Sequence, residues 1–431
     1  QSVYAEALAR TSCSGLLLHS GREQHYFGDD RSVPFQAFGH FLQWVPVNRP
    51  DQFLLIRPGE RPRYFQVVPD DFWHDQHIDN ADWWADALTI TRLRSVDELA
   101  GELSPDGLCY LGDSPGLARD LGLAEESVNP EKLWRHLDYQ RAVKSAYELD
   151  RLRTANRLAL EGHRAAQESF LAGGSEFDIH MAYLGACRMQ ENDCPYTNIV
   201  AVNDKAAILH YQNKRTEPVA KSQVLLIDAG ARVAGYGSDI TRTTATTAAP
   251  TLFHDLLEGM DRLQQRLVGV IRPGLPYSSL HDDALKGVAE LLLQLGLCHG
   301  TPDQLLEQHL PQLFMPHGVG HLLGIQVHDV GGHQADVEGR LLPPPDHSPA
   351  LRTTRILEPD MVFTIEPGCY FIPLLLEPER NSDRGKAINW SLVDSLYACG
   401  GIRIEDNVRV TADGAENLTR QKFMQYQAGQ L

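Results

Sequence analysis

Residues 225–243 read LLIDAGARVAGYGSDITRT: an apolar run ending in Asp228, a glycine-rich turn, and a threonine-rich run opened by Asp239. The segment around VLLID is β-branched and apolar, and DITRTTATT is rich in threonine, so both suit strands, with AGARVAGYGS as the turn between them. Neighbouring antiparallel strands would bring the two aspartates close together. Ionised carboxylates that close repel, so either one is protonated or a cation sits between them. Taken alone, the stretch reads equally well as a hairpin carrying two solvated acids.

Three other segments tilt the reading. MPHGVGHLLGIQVHDVGG, 315–332, carries His317, His321 and His328 among five glycines. The four-residue spacing of His317 and His321 resembles half of a zinc-protease helix. Gly318, Gly320 and Gly324 argue against a helix, however, and no glutamate follows His317, so the segment reads as loop and strand. VFTIEPGCY places Glu366 at the end of an apolar run before Pro367-Gly368, and GGIRIEDN places Glu405 inside another, with Arg403 two residues earlier on the same face. Arg403–Glu405 reads equally as a plain ion pair, but an acid among apolar neighbours is costly to bury without a partner.

Composition and organisation set the frame. A chain of 431 residues favours two domains. A net charge of −18, from 39 basic and 57 acidic residues, opposes a nucleic-acid partner. No window approaches the ~20 apolar residues of a membrane span, and the start of the chain lacks a signal-peptide pattern. Seven dispersed cysteines without a C-x-x-C pair point to a reducing compartment, the cytoplasm. Up to about residue 140, short apolar runs alternate with polar and helical stretches, which predicts an α/β domain. Ser145 with Glu148 forms a capping box opening a long helix that ends at Gly173-Gly174. The boundary falls near 143, giving domains 1–143 and 144–431. Further helices are predicted from Ser175 as N-cap, over 252–268 and over 278–296, with strands at 198–202, 223–228, 238–246, 361–366 and 401–410. The proline-dense stretch 341–355 cannot be regular throughout.

Two aspartates, two glutamates and a histidine thus arrive from separate β segments. Four carboxylates and one imidazole make a hard, oxygen-rich set that suits Mn²⁺, Mg²⁺ or Co²⁺ better than a structural zinc site. Four nearby acids carry charge for two divalent ions, and a two-metal site can hold a bridging water and lower its pKa. The pattern points to a metal-assisted hydrolase.

In this order, Asp228, Asp239, His321 in PHGVGH, Glu366 in TIEPG and Glu405 in GIRIEDN resemble the metal ligands of the pita-bread (creatinase/aminopeptidase-like) metallopeptidases, which include methionine aminopeptidase, aminopeptidase P and prolidase. Further stretches resemble the bacterial Xaa-Pro dipeptidases and the related organophosphorus acid anhydrolases: HSG at 19–21, DD at 29–30, WVPV at 44–47, DFWH at 71–74, PYTNIVA at 195–201, AILHY at 207–211, LRTTR at 351–355 and ENLTR at 416–420. The resemblance covers nearly the whole chain and implies an α+β architecture, an N-terminal α/β domain followed by a pita-bread domain. It implies two divalent ions, Mn²⁺ foremost with Co²⁺ and Zn²⁺ as alternatives. Asp228 and Asp239 would ligate one, Asp239 and Glu405 would bridge, and His321 and Glu366 would complete the second.

The same resemblance makes Glu366 the proton shuttle, sets His210, His317 and His328 around the substrate, has Arg352 and Arg403 anchor it, and puts Tyr196 and Tyr277 in the pocket lining. Asp30 would reach the neighbouring subunit's site in a homodimer. Thr353, Ser238 and Asp360 depart from the family's commoner cysteine, alanine and glycine without touching a ligand position.

An Xaa-Pro bond has no N–H for a protease to grip, whereas attack by a metal-bridging hydroxide needs none. The expected activity is therefore hydrolysis of Xaa-Pro dipeptides. An oxyanion would be stabilised by metal and a histidine such as His317, with an arginine on the terminal carboxylate. Organophosphate hydrolysis, aminopeptidase P activity on longer peptides, and a non-catalytic binding module are the competing readings. The last would be expected to have lost at least one ligand.

Overall fold

The computed structural model describes residues 1–80 and 82–420. The chain divides into two compact units, Gln1–Arg141 with Asp336–Arg340, and Ala142–Ala335 with Leu341–Leu431. Both mix helix and sheet, the α+β class expected.

In the N-terminal unit, β1 (Gly15–His19), β2 (Phe53–Ile56), β3 (Arg63–Val67), β4 (Thr89–Leu93) and β5 (Leu108–Leu111) form one sheet in the order β4-β3-β2-β1-β5. The apolar runs of the sequence supply its centre: GLLLH, FLLI and LCYL are buried at every position, as strands covered on both faces must be. β1 pairs antiparallel with β2 and parallel with β5. Leu17, Phe53, Phe65, Leu108 and Tyr110 pack together on one face. Cys13 and Cys109, 96 residues apart with Cα atoms 6.0 Å from each other, are joined as a disulfide. The dispersed spacing of the cysteines gave no sign of this pair, because the contact is made by folding. The other five cysteines are free and buried.

In the C-terminal unit, Ser145 caps the helix Ala146–Leu171 through the expected box, its own N–H donating to Glu148 Oε2 at 2.8 Å. Ser175 caps Glu176–Cys187 in the same way. Helices Thr251–Gly269 and Tyr277–Gln294 follow. On the first, Phe253, Leu256, Met260, Leu263 and Leu267 recur at three- and four-residue spacing and are all buried, against Leu280, Ala284 and Val288 of the second and Val319, Phe363 and Ile365. Each such side chain contributes about 1.5–3 kcal/mol by burial.

β6 (Ile199–Val202) and β7 (Val224–Asp228) pair antiparallel. The connection beyond β7 folds into a small ribbon of its own, β8 (Arg232–Val233) with β9 (Tyr236–Gly237), before β10 (Thr241–Ala245) returns along β7. The last strands are β11 (Val362–Ile365), β12 (Gly368–Tyr370), β13 (Gly401–Arg403), β14 (Asp406–Val410) and β15 (Ala415–Asn417).

The single strand expected over 401–410 is two strands. β14 pairs with β11 and β13 with β12, with Ile365 opposite Asp406 and Gly368 opposite Arg403. Glu366-Pro367 therefore face Ile404-Glu405 across a break in the ladder, and Pro367 has no N–H with which to close it. The stretch 341–355 holds no regular element and is tied down by contacts such as Thr354 N–H to the Gly332 carbonyl at 2.9 Å.

Candidate metal centre

Asp228 ends β7 in register with Thr241 of β10, and one further bond, Ala229 N–H to the Ile240 carbonyl at 3.0 Å, carries the pairing toward Asp239. The approach is tight: a Cβ on Gly230 would fall 2.0 Å from the Ser238 carbonyl oxygen, so only glycine fits. The ladder break then brings in both glutamates. Released from strand pairing, Glu405 N–H donates to the Thr241 carbonyl at 3.1 Å and Glu366 N–H to the Val319 carbonyl at 2.8 Å. Thr241 also donates its hydroxyl to Glu405 Oε2 at 2.6 Å.

The glycine-rich segment, expected as loop and strand, is a loop with one isolated bridge, Leu322 to Phe363, and it is clipped to β11 on both sides of His321. His321 N–H donates to Thr364 Oγ1 at 3.0 Å, and Thr364 N–H to the His321 carbonyl at 2.9 Å. Burial works to lower the pKa of His321, but the Asp239 hydrogen bond and the Glu366 charge raise it; its Nδ1 lies 3.0 Å from the Leu322 carbonyl, an acceptor, so Nδ1 carries a proton and Nε2 is the nitrogen turned toward the acids. That nitrogen stands 3.3 Å from Asp239 Oδ2 and 3.6 Å from Glu366 Oε1.

Asp228, Asp239, His321, Glu366 and Glu405 all border one cavity of roughly 270 Å³, together with His210, His317, His328, Arg352 and Arg403. Asp239, His321 and Glu405 offer ligand atoms within 4.8 Å of one another. Asp228 is held from two sides, accepting from Tyr196 Oη at 2.7 Å and from Arg403 Nη2 at 2.6 Å. Arg403 therefore pairs with Asp228, not with Glu405 as the plain reading of GIRIEDN would have it.

The electrostatics match a cation site. Burial lifts Glu405 well above the usual carboxylate range and Glu366 to about 7, and the neighbouring acids add to both. Burial also lifts Asp228, to about 6, against the opposing pull of Arg403. Asp239 alone is held low: burial works to raise it, but the His321 hydrogen bond and charge prevail. Crowded carboxylates that resist ionisation lack positive charge, and an oxygen-rich set with one imidazole suits divalent ions. The residues present fit the metal pair that the resemblance implies.

Among the expected substrate residues, His210, His328 and Arg352 are exposed and line the cavity. His317 is neutral, burial holding it down to about 3. Its Nδ1–H donates to the Gly318 carbonyl at 2.8 Å, so Nε2 accepts from the Tyr370 hydroxyl at 2.9 Å, and both ring nitrogens are engaged within the protein. Tyr277 stands behind the site, fully buried, its hydroxyl on the Thr364 carbonyl at 2.8 Å. Asp30 belongs to the N-terminal unit and is exposed. Tyr370 was not read from the sequence. It joins His317 to Arg403, whose Nη1 donates to the Tyr370 hydroxyl at 2.8 Å. The signal was the two-residue alternation of a strand, which puts position 370 on the face of 366 and 368.

Known proteins are similar to this chain in sequence and in fold. Residues 1–139 match the Xaa-Pro dipeptidase N-terminal domain model. The chain is 43% identical over 425 residues to an Xaa-Pro dipeptidase of Pseudoalteromonas atlantica, covering 97% of this chain and 96% of that one. It is 42% identical over 420 residues to one of Shewanella woodyi, with 96% and 94% covered. In fold it is similar to aminopeptidase P from E. coli with the inhibitor Pro-Leu, at a TM-score of 0.77 and 23% identity over 98% of this chain and 94% of the other. It is likewise similar to proline aminopeptidase P II from Yersinia pestis, at 0.75 and 23% over 98% and 95%. These neighbours share the N-terminal domain and the pita-bread domain. Residues 150–412, which hold all five clustered side chains, match the model of metallopeptidase family M24, and the chain belongs to that family as a metal-dependent hydrolase.

Proposed function

We propose that the protein hydrolyses Xaa-Pro dipeptides and releases proline, using two divalent ions, Mn²⁺ foremost, held by Asp228, Asp239, His321, Glu366 and Glu405. The observation that carries this reading is the cluster of those five side chains on one cavity of roughly 270 Å³, in a chain 43% identical to an Xaa-Pro dipeptidase. When bound, the ions supply an acidified water for attack and positive charge opposite the scissile carbonyl oxygen.

The protein's own residues do the rest. Glu366 takes the proton of the attacking water and delivers it to the proline nitrogen, which leaves poorly unless protonated. Its Oε2 lies 3.9 Å from His317, a neutral neighbour that does not compete for that proton. Arg352, exposed on the cavity lining, meets the dipeptide's terminal carboxylate in a charge-assisted pair, and a longer peptide has no carboxylate there. His210 and His328 flank the bound peptide. His317 becomes an oxyanion donor only if Nε2 gains a proton and gives up the Tyr370 hydroxyl; in the arrangement described it orients Tyr370 and Arg403. The same attack can be turned on tetrahedral phosphorus, and organophosphate hydrolysis is proposed as a side activity on that ground.

A homodimer is proposed as the working form, with Asp30 of one copy near the other's site. Exposed Phe27, Phe72 and Trp73 in the N-terminal unit support a buried partner surface, and light scattering would show a mass near twice 48.1 kDa. A cytoplasmic home is proposed from the family alone; among the described residues no helix is long and apolar enough to cross a membrane. The function is tested by proline release from Leu-Pro and from Leu-Pro-Gly with Mn²⁺-loaded protein. Cleavage of the dipeptide alone supports the proposal, cleavage of the tripeptide makes aminopeptidase P activity the better reading, and cleavage of neither leaves a binding module.

A further inference from the structure

Ser238, Asp239 and Ile240 lie between the small ribbon and β10 and belong to no strand. Asp239 is nonetheless buried, 5% exposed, and its backbone N–H and C=O need partners. Asn407 supplies both. The Asp239 N–H donates to Asn407 Oδ1 at 3.1 Å, and Asn407 Nδ2 donates back to the Asp239 carbonyl. A side-chain amide thus grips a non-strand peptide unit as a neighbouring strand would. Asparagine suits the task because it presents one donor and one acceptor on a short, uncharged stem.

Asn407 is itself fixed. It is fully buried in β14 in register with Thr364, and its N–H donates to Thr419 Oγ1 at 3.0 Å. The Thr419 hydroxyl donates in turn to Asn156 Oδ1 at 2.6 Å, on the long helix Ala146–Leu171. Glu405 stands two residues before Asn407, with its carbonyl accepting from Arg242 Nη1 at 2.7 Å. The backbone of one short segment therefore carries Glu405, and a side chain of the same segment holds Asp239.

We propose that Asn407 is a positioning residue of the metal centre: it sets where Asp239 stands relative to Glu405, the two carboxylates shared between the ions, and so sets the affinity of the site for divalent cations. This rests on the reading of Asp239 and Glu405 as ligands. Metal sites tolerate ligand errors of only about 0.2 Å, which makes the mount of a shared ligand matter.

The test is calorimetric titration of Mn²⁺ into chelated, dialysed full-length protein, with melting temperature followed in parallel. Asn407→Leu keeps the branched shape and removes both hydrogen bonds; it is expected to weaken Mn²⁺ binding about 10- to 100-fold. Asn407→Ser, a smaller disturbance of the core, is expected to weaken it likewise and serves if the leucine variant does not fold. Thr419→Val removes the next link but leaves both partners of Asp239 in place, so it is expected to lower the melting temperature and leave affinity unchanged. Wild-type affinity in the folded Asn407 variants overturns the proposal, as does equal weakening by Thr419→Val. Asp239→Asn separates the two levels: undiminished Mn²⁺ binding there overturns the ligand reading itself, whereas loss there beside normal binding in the Asn407 variants overturns only the positioning role.

Discussion

Arg403 Nη2 stands 2.6 Å from Asp228 Oδ2, both side chains buried, so a guanidinium already neutralises a carboxylate that is proposed as a metal ligand. The pairing explains how four acids can be collected in one cavity of a foldable chain: each charge that is not relieved by metal needs a partner.

Arg403→Met is accordingly expected to destabilise the metal-free protein by about 3–5 kcal/mol, the cost of stranding a buried charge. The loss should shrink when Mn²⁺ is bound, because the ion takes over the neutralisation. Urea unfolding with chelator and with Mn²⁺ checks this, and an equal loss under both conditions would mean that arginine and metal do not share the task.

Tyr370 bridges His317 and Arg403 without touching any of the five clustered ligands in the contacts described. Tyr370→Phe is expected to lower kcat by about 10- to 100-fold, as loss of an orienting partner does, and to leave Mn²⁺ binding unchanged. Steady-state kinetics on Leu-Pro beside metal titration would show the split; weakened metal binding would place Tyr370 among the supports of the ligands instead.

Gly320 has φ +152°, and a Cβ there would fall 2.1 Å from the Thr364 carbonyl oxygen and 2.4 Å from Tyr277 Oη. Gly320→Ala must push the loop off β11 and carry His321 with it. A loss of about 3 kcal/mol is expected, the upper range for overpacking, accompanied by weaker Mn²⁺ binding. A variant that unfolds at the wild-type urea midpoint and binds metal normally would contradict the clipping of His321 to Thr364.

Stability should depend on two buried histidines that are not among the proposed ligands. Burial holds His163 down to about 3 and His281 to about 4, against 6.5 for an ordinary imidazole. Between these values and 6.5 the unfolded chain binds protons that the folded chain does not. The contribution of these two histidines to the unfolding free energy therefore rises with pH across that window, by up to about 1.4 kcal/mol per unit for each, and is lost as pH falls; the raised carboxyls Glu366 and Asp228 contribute with the opposite sign. Urea titrations of chelated wild type and His281→Asn at pH 7.5 and 5 isolate the His281 contribution: going to pH 5 should change stability less unfavourably in the variant than in the wild type. An unchanged slope in that variant would show that His281 is not a source.

Much of this was legible in the sequence because it is written locally. Ser145 and Glu148 announce a helix start by their own hydrogen bonds, and Phe253 to Leu267 announce a buried face by spacing. The acids were legible because ionisable residues inside apolar runs are unusual. What stayed hidden depends on which strand meets which. That 401–410 breaks at Glu405 follows from pairing with two different partners, β12 and β11. Arg403 turning to Asp228, Tyr370 reaching His317 and Cys13 meeting Cys109 are likewise long-range contacts that no window of the sequence contains.

The central claim, that Asp239 with Asp228, His321, Glu366 and Glu405 holds the catalytic ions, is tested most directly by proline release from Leu-Pro. Chelated wild-type protein and Asp239→Asn would be compared before and after addition of Mn²⁺, with circular dichroism confirming that both are folded. The expected result is activity in the wild type that appears only with Mn²⁺, and none in Asp239→Asn at any Mn²⁺ concentration. Metal-independent release by the wild type, or Mn²⁺-dependent release by a folded Asp239→Asn at the wild-type rate, would contradict it.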